Sequence, residues 1–155
     1  MSLHKKTWLQ KLPVSIDKAW DFFSIPSNLA RITPPEMMFR VTAGSGEKPI
    51  HEGMILSYIL YPFMMLPVQW TTEIVMVSKP DSFEDRQLEG PYEKWQHRHE
   101  FRSIEGGVEM TDIVEYRLPM EAFGDLVDGL IVGRRLDEVF EYRRRKTAEI
   151  LGRMD

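Results

Sequence analysis

Between residues 94 and 103 the chain alternates. Trp95, His97, His99 and Phe101 fall on one side, and Lys94, Gln96, Arg98 and Glu100 on the other. Period two marks a strand with one buried face, and here two imidazoles share that face with aromatic rings. The pattern recurs over 108–118, where Val108, Met110, Val114, Tyr116 and Leu118 share a face with Asp112, and over 82–89, where Phe83 is accompanied by Asp85 and Gln87. Residues 7–14, 39–43, 54–61 and 68–78 also read as strands. The separators carry turn chemistry: Pro62 and Pro67, Lys79-Pro80-Asp81, Gly90-Pro91 and Gly106-Gly107. Such short connections make neighbouring strands antiparallel.

Helical spacing appears at both ends. Ile16, Ala19, Trp20 and Phe23 predict a short amphipathic helix over 16–24, with Ser15 as its N-cap and Asp17 in its first turn. Pro26 permits a second short helix, which ends before Pro34-Pro35. Near the C-terminus Leu136, Val139, Phe140, Arg143, Thr147, Ile150 and Leu151 trace one face of a long helix. Gly124, Gly129 and Gly133 predict a loose or broken approach to it, able to gate entry. The run Arg143 to Lys146 reads as one solvated turn. The order is strand, two short helices, six strands, long helix, which defines the α+β class. A twisted antiparallel sheet of six to seven strands curls around the long helix it covers.

Composition narrows the functions. With 155 residues and 43% hydrophobic positions, one domain spanning 1–155 can bury a sizeable core. A net charge of −4 argues against a nucleic-acid partner. The absence of cysteine excludes disulfides, thiolate catalysis and cysteine-based metal centres. The short polar start carries no signal-peptide pattern, and the longest apolar run, 54–68, is broken by Ser57, Pro62 and Pro67, so no transmembrane segment is expected. A cytoplasmic protein is the expectation, and a homodimer is left open.

The candidate chemistry lies on the inward face. A four-residue loop over 104–107 sets His99 opposite Asp112; a two-residue Gly-Gly turn sets Phe101 there, with His99 diagonal. Either register makes His99 and Asp112 neighbours, and pairing across Gly90-Pro91 brings Asp85 or Gln87 beside His97 or His99. Buried polar groups need partners. Three readings follow: a self-satisfied network, the polar end of a ligand cavity, or a His-x-His metal site completed by Asp85 or Asp112. No third-ligand motif supports the last, so neither metal nor cofactor is expected. No motif places a serine or threonine as a nucleophile. Met37, Met38, Met54, Met64, Met65, Met76, Met110 and Met120 each read as core, but together with Tyr58, Tyr61 and Trp70 they favour a cavity.

Three stretches, 15–35 (SIDKAWDFFSIPSNLARITPP), 83–101 (FEDRQLEGPYEKWQHRHEF) and 106–119 (GGVEMTDIVEYRLP), resemble the START-like, helix-grip superfamily called SRPBCC, in particular its bacterial polyketide cyclase/dehydrase-like and coenzyme-Q-binding-like members. The resemblance covers nearly the whole chain. It implies a deep cavity between the sheet and the C-terminal helix, entered near the two short helices, and a superfamily that includes lipid carriers and cyclases. It supplies no universal catalytic residue. The leading reading is therefore binding of a small hydrophobic or amphipathic ligand, with Trp70, Asp85, Gln87, Trp95, His97, His99, Phe101, Met110, Asp112 and Tyr116 as candidate contacts. The alternatives are a cyclase- or dehydratase-like enzyme using His99 with Asp112 as acid and base, and a regulatory protein-interaction module.

Overall fold

The computed structural model describes residues 3–44, 46–63, 66–119 and 131–154. Strand β1 (His4–Leu12) is followed by helices α1 (Ile16–Phe23) and α2 (Asn28–Arg31), and a single 3-10 turn at Pro35–Met37. Six strands come next: β2 (Arg40–Ala43), β3 (Ile55–Phe63), β4 (Leu66–Ser78), β5 (Ser82–Glu89), β6 (Lys94–Ile104) and β7 (Gly107–Arg117). The chain ends in the long helix α3 (Gly133–Leu151). The seven strands form one antiparallel sheet in the order β1-β7-β6-β5-β4-β3-β2. Only β1 is out of sequence, because the α1–α2 excursion separates it from β2.

Local chemistry explains the boundaries. The Ser15 hydroxyl accepts from the Lys18 N–H at 3.1 Å and starts α1. The Asn28 amide donates to the Phe22 carbonyl at 2.8 Å and turns the chain out of it. Trp20 of α1 meets Phe83 and Phe101 edge-on, so the helix packs across β5 and β6. Pro62 and Pro67 correct the expected separators, since both lie inside strands. They sit beside the hairpin end, where Phe63 pairs with Leu66 and the register slips after Leu60. There few ladder donors are needed, which is where a strand tolerates proline.

Helix α3 buries Leu136, Val139, Phe140, Thr147 and Leu151 along one face. Each large apolar side chain so buried contributes about 1.5–3 kcal/mol. The i,i+3 pairs Arg144–Glu141 and Lys146–Glu149 are exposed and screened by solvent, so the apolar face holds the helix. Strand β1 orients it: Trp8 stacks on Phe140 at 3.8 Å, and the Gln10 amide donates to the Arg144 carbonyl at 2.8 Å. Met64, Met65, Met120 and the expected loose approach over 121–130 lie outside the described residues.

The core is split. One cluster gathers Trp70, Trp95, Val114 and Tyr116 with the first half of α3. A second gathers Leu12, Trp20, Phe83, Phe101, Val108 and Met110 with Leu151, and a third, smaller one holds Met54, Leu56 and Ile74. Along β6 the inward residues are therefore Trp95 in the first cluster, His97 and His99 between, and Phe101 in the second.

Candidate functional site

Strand pairing places Asp85 opposite His97 and Asp112 opposite His99. The turn between β6 and β7 holds two residues, Glu105 and Gly106, because Ile104 pairs with Gly107. This gives the first of the two registers read from the sequence, with Gly106 in the left-handed region at φ 81°. The shorter bonds, however, run diagonally. His97 Nε2 lies 2.8 Å from Asp112 Oδ1, and His99 Nε2 lies 3.0 Å from Asp85 Oδ2. His99 Nδ1 makes a longer contact, 3.4 Å, with the same Asp112 oxygen. The Thr72 hydroxyl donates to the Arg86 carbonyl at 2.9 Å and reaches Asp85 Oδ1 at 3.4 Å. A continuous polar belt thus crosses β4, β5, β6 and β7 between the two larger apolar clusters.

Protonation follows from this geometry. An ionised carboxylate only accepts, so the facing imidazole nitrogens carry hydrogen. His99 faces a carboxylate with each nitrogen. Burial pushes its pKa down, but the bonds to Asp112 and then Asp85, with their charges, outweigh burial and raise it, favouring the imidazolium. His97 is the opposite case. Burial and the charge of His99 outweigh its bond to Asp112 and lower its pKa. It is a neutral ring donating through Nε2, stacked on His99 at 3.7 Å. Burial pushes the Asp112 carboxyl up, yet the two histidines overcome it and hold it far below the usual carboxylate range. Asp85 is lowered in the same way, burial being outweighed chiefly by the bond to His99.

Above the belt lies a pocket of about 380 Å³ between the sheet and α3. Its walls include Tyr58, Trp70, Trp95, Leu136, Val139 and Phe140, and its floor includes Asp85, His97, His99 and Asp112. Leu66, which is 69% exposed, also lines it, so the pocket reaches the surface beside the β3–β4 hairpin. Arg143 projects into the same space. Its guanidinium lies 4.5 Å over the Phe140 ring, its Nε is sealed from solvent, and it makes no hydrogen bond or ion pair among the described residues. Burial lowers its pKa, against the pull of Asp112 and Asp85, but a guanidinium stays charged. Trp70 Nε1 is likewise buried without a partner among the described residues. Tyr58 is a neutral phenol, its pKa raised by burial and by Asp85.

Of the residues singled out from the sequence, Trp70, Asp85, Trp95, His97, His99 and Asp112 line the pocket. Gln87 does not. Its amide donates to the Tyr92 carbonyl at 2.7 Å and accepts from the Tyr92 N–H at 3.3 Å, closing the β5–β6 turn. Phe101 and Met110 are packed in the cluster covered by α1, and Tyr116 lies fully buried beside Tyr92 and Trp95. Arg143 and Thr72 were not among those candidates. Arg143 had a visible signal, a charge on the apolar stripe of α3. Arg144 and Arg145 are exposed as expected of a solvated turn, so the correction to that reading concerns Arg143. Asp85, His97 and His99 hold donor atoms within 4.8 Å of one another, a spacing that suits a metal. A metal there would have to displace protons that now bind the belt together.

A curved antiparallel sheet grips a C-terminal helix, with a pocket between them. The fold is a helix-grip fold. No protein-family model matches the chain, and no curated protein matches it. Solved structures do. Protein CV1439 from Chromobacterium violaceum superposes with a TM-score of 0.72 at 10% identity, covering 97% of this chain and 99% of that one. Ginseng major latex-like protein 151 from Panax ginseng gives 0.70 at 15% identity, covering 96% and 97%. Ara h 8.0201 gives 0.66 at 12% identity, covering 96% and 99%. Among the described residues no helix is long and apolar enough to cross a membrane.

Proposed function

We propose that this chain, as one unit over residues 1–155, binds a small hydrophobic or amphipathic molecule between the sheet and α3, and does so in the cytoplasm. The carrying observation is the pocket of about 380 Å³, apolar along its walls and polar at one end. Its volume falls within the range of small-molecule sites. Apolar ligand surface buried there gains about 25 cal/mol per Å². Trp70 Nε1 and Arg143 Nε are donors without partners among the described residues, so a ligand oxygen at the polar end improves the fit. The aromatic walls favour a flat ring system over a single acyl chain.

Mass spectrometry of the organic extract of natively purified protein tests this reading. The expected result is a stoichiometric apolar compound, absent from the Leu136→Trp variant, whose indole fills the pocket. An empty extract, together with no binding of an apolar fluorescent dye to the folded wild type, would sink the proposal in favour of the regulatory module.

A further inference from the structure

We infer that His97, backed by Asp112, is a general base toward whatever the pocket holds, and that the site abstracts a proton from a bound carbon or oxygen acid. The inference rests on the pocket reading and goes beyond it. The pair expected from the sequence was His99 with Asp112, but both nitrogens of His99 face carboxylates, which leaves it no lone pair to offer. His97 uses one nitrogen. Nε2 is bonded to Asp112, and Nδ1 has no hydrogen-bond partner among the described residues. Both rings line the pocket. An imidazole held by a carboxylate through one nitrogen presents a basic lone pair on the other, and the carboxylate stabilises the cation that forms.

Arg143 supplies the other half. A guanidinium in a pocket, with no ion pair of its own among the described residues, can receive the negative charge that develops on the acid. Among enolisable substrates, His97 Nδ1 takes the proton from the carbon beside a carbonyl, the C–H electron pair becomes the enolate π bond, and the carbonyl oxygen carries the charge toward Arg143. The proton on His97 then leaves to solvent or returns to the product. No oxidant or metal takes part.

Nitrobenzisoxazole tests the base without knowledge of the natural ligand. It is a flat aromatic carbon acid. Removal of its ring C–H proton forms a nitrile, breaks the N–O bond and releases a coloured phenolate. Binding is followed separately through quenching of Trp70 and Trp95. The expected result is saturable acceleration over buffer, reduced about a hundredfold or more by His97→Gln, which keeps the donor to Asp112 and removes the base. The pH profile is independent of any variant's folding. The groups acting on His97 are Asp112 from β7, His99 from its own strand and Asp85 from β5, while Tyr58 from β3 and Arg143 from α3 line the same pocket. With His97 below its ordinary 6.5, the rate should rise to a plateau whose inflection lies below that value. In His99→Gln, which removes the stacked cation, the inflection should move up. Binding without acceleration, or a rate that survives His97→Gln, overturns this inference and leaves the carrier reading standing. Absence of binding overturns both.

Discussion

Asp112 accepts from one histidine that is neutral and touches one that is charged, so the two rings titrate in opposite directions on folding. His99 has its pKa raised, and its contribution to stability is fully present below 6.5 and lost as pH rises through its folded value. His97 has its pKa lowered, so its neutral form is favoured above 6.5 and its contribution is lost as pH falls from there toward its folded value. Asp85 and Asp112 add a further loss below 3.8, as pH falls through their depressed folded values. Urea midpoints measured across pH should therefore peak near 6.5 and fall on both sides, and His99→Gln should abolish the alkaline decline. A wild-type midpoint that keeps rising through pH 9 contradicts the assignment of the cation to His99. Asp112→Ala leaves His97 and the charged His99 without their shared acceptor. Removing one partner from a buried pair costs about 3–5 kcal/mol, readable as a large drop in midpoint at pH 7.

At the scale of elements, β6 was the most legible part of the sequence, because a strand buried on one face must alternate. The facing of His99 and Asp112 was legible for the same reason. The diagonal bonding was not. It depends on sheet twist and on side-chain torsions, which bring Asp112 closer to His97 than to the residue opposite it. Gln87 misled because period two fixes which side a residue starts on, whereas a long flexible amide can fold back over its own turn. Arg143 reads, with a run of four basic residues, as one solvated turn, although its place on the apolar stripe of α3 sets it apart from Arg144. The β1–β7 edge carries its own test. A Cβ at Gly107 would overlap the Leu12 carbonyl, a backbone atom that cannot move without breaking the ladder. Gly107→Ala should cost about 1–3 kcal/mol by overpacking. By contrast, an alanine at Gly53, where a Cβ meets nothing within 4 Å, is strained only by its φ of 82° and should cost about 1–2 kcal/mol. Equal midpoints for Gly107→Ala and wild type would show that β1 is not locked there.

For the whole molecule, what matters is how the pocket is charged. Two carboxylates, Asp85 and Asp112, are met by two cations, the His99 imidazolium and Arg143, so the polar floor is close to neutral before any ligand arrives. A neutral floor under apolar walls discriminates by desolvation. An anion entering it loses its hydration and finds no net positive field in return, while an uncharged molecule with one acceptor oxygen loses little and meets donors of Trp70 and Arg143 that have no partner among the described residues. Naphthol and naphthoate differ mainly in that charge at pH 7. Naphthol should bind at least about tenfold tighter, roughly 1.4 kcal/mol, measured by calorimetry or by tryptophan quenching. The same balance predicts what Arg143→Met does. It leaves the floor negative, widens the preference against naphthoate, and removes the group that would receive an anion formed in place. Naphthoate binding as tightly as naphthol to the wild-type chain would mean that the floor carries net positive charge, and the assignment of two ionised carboxylates beside a neutral His97 would have to be abandoned.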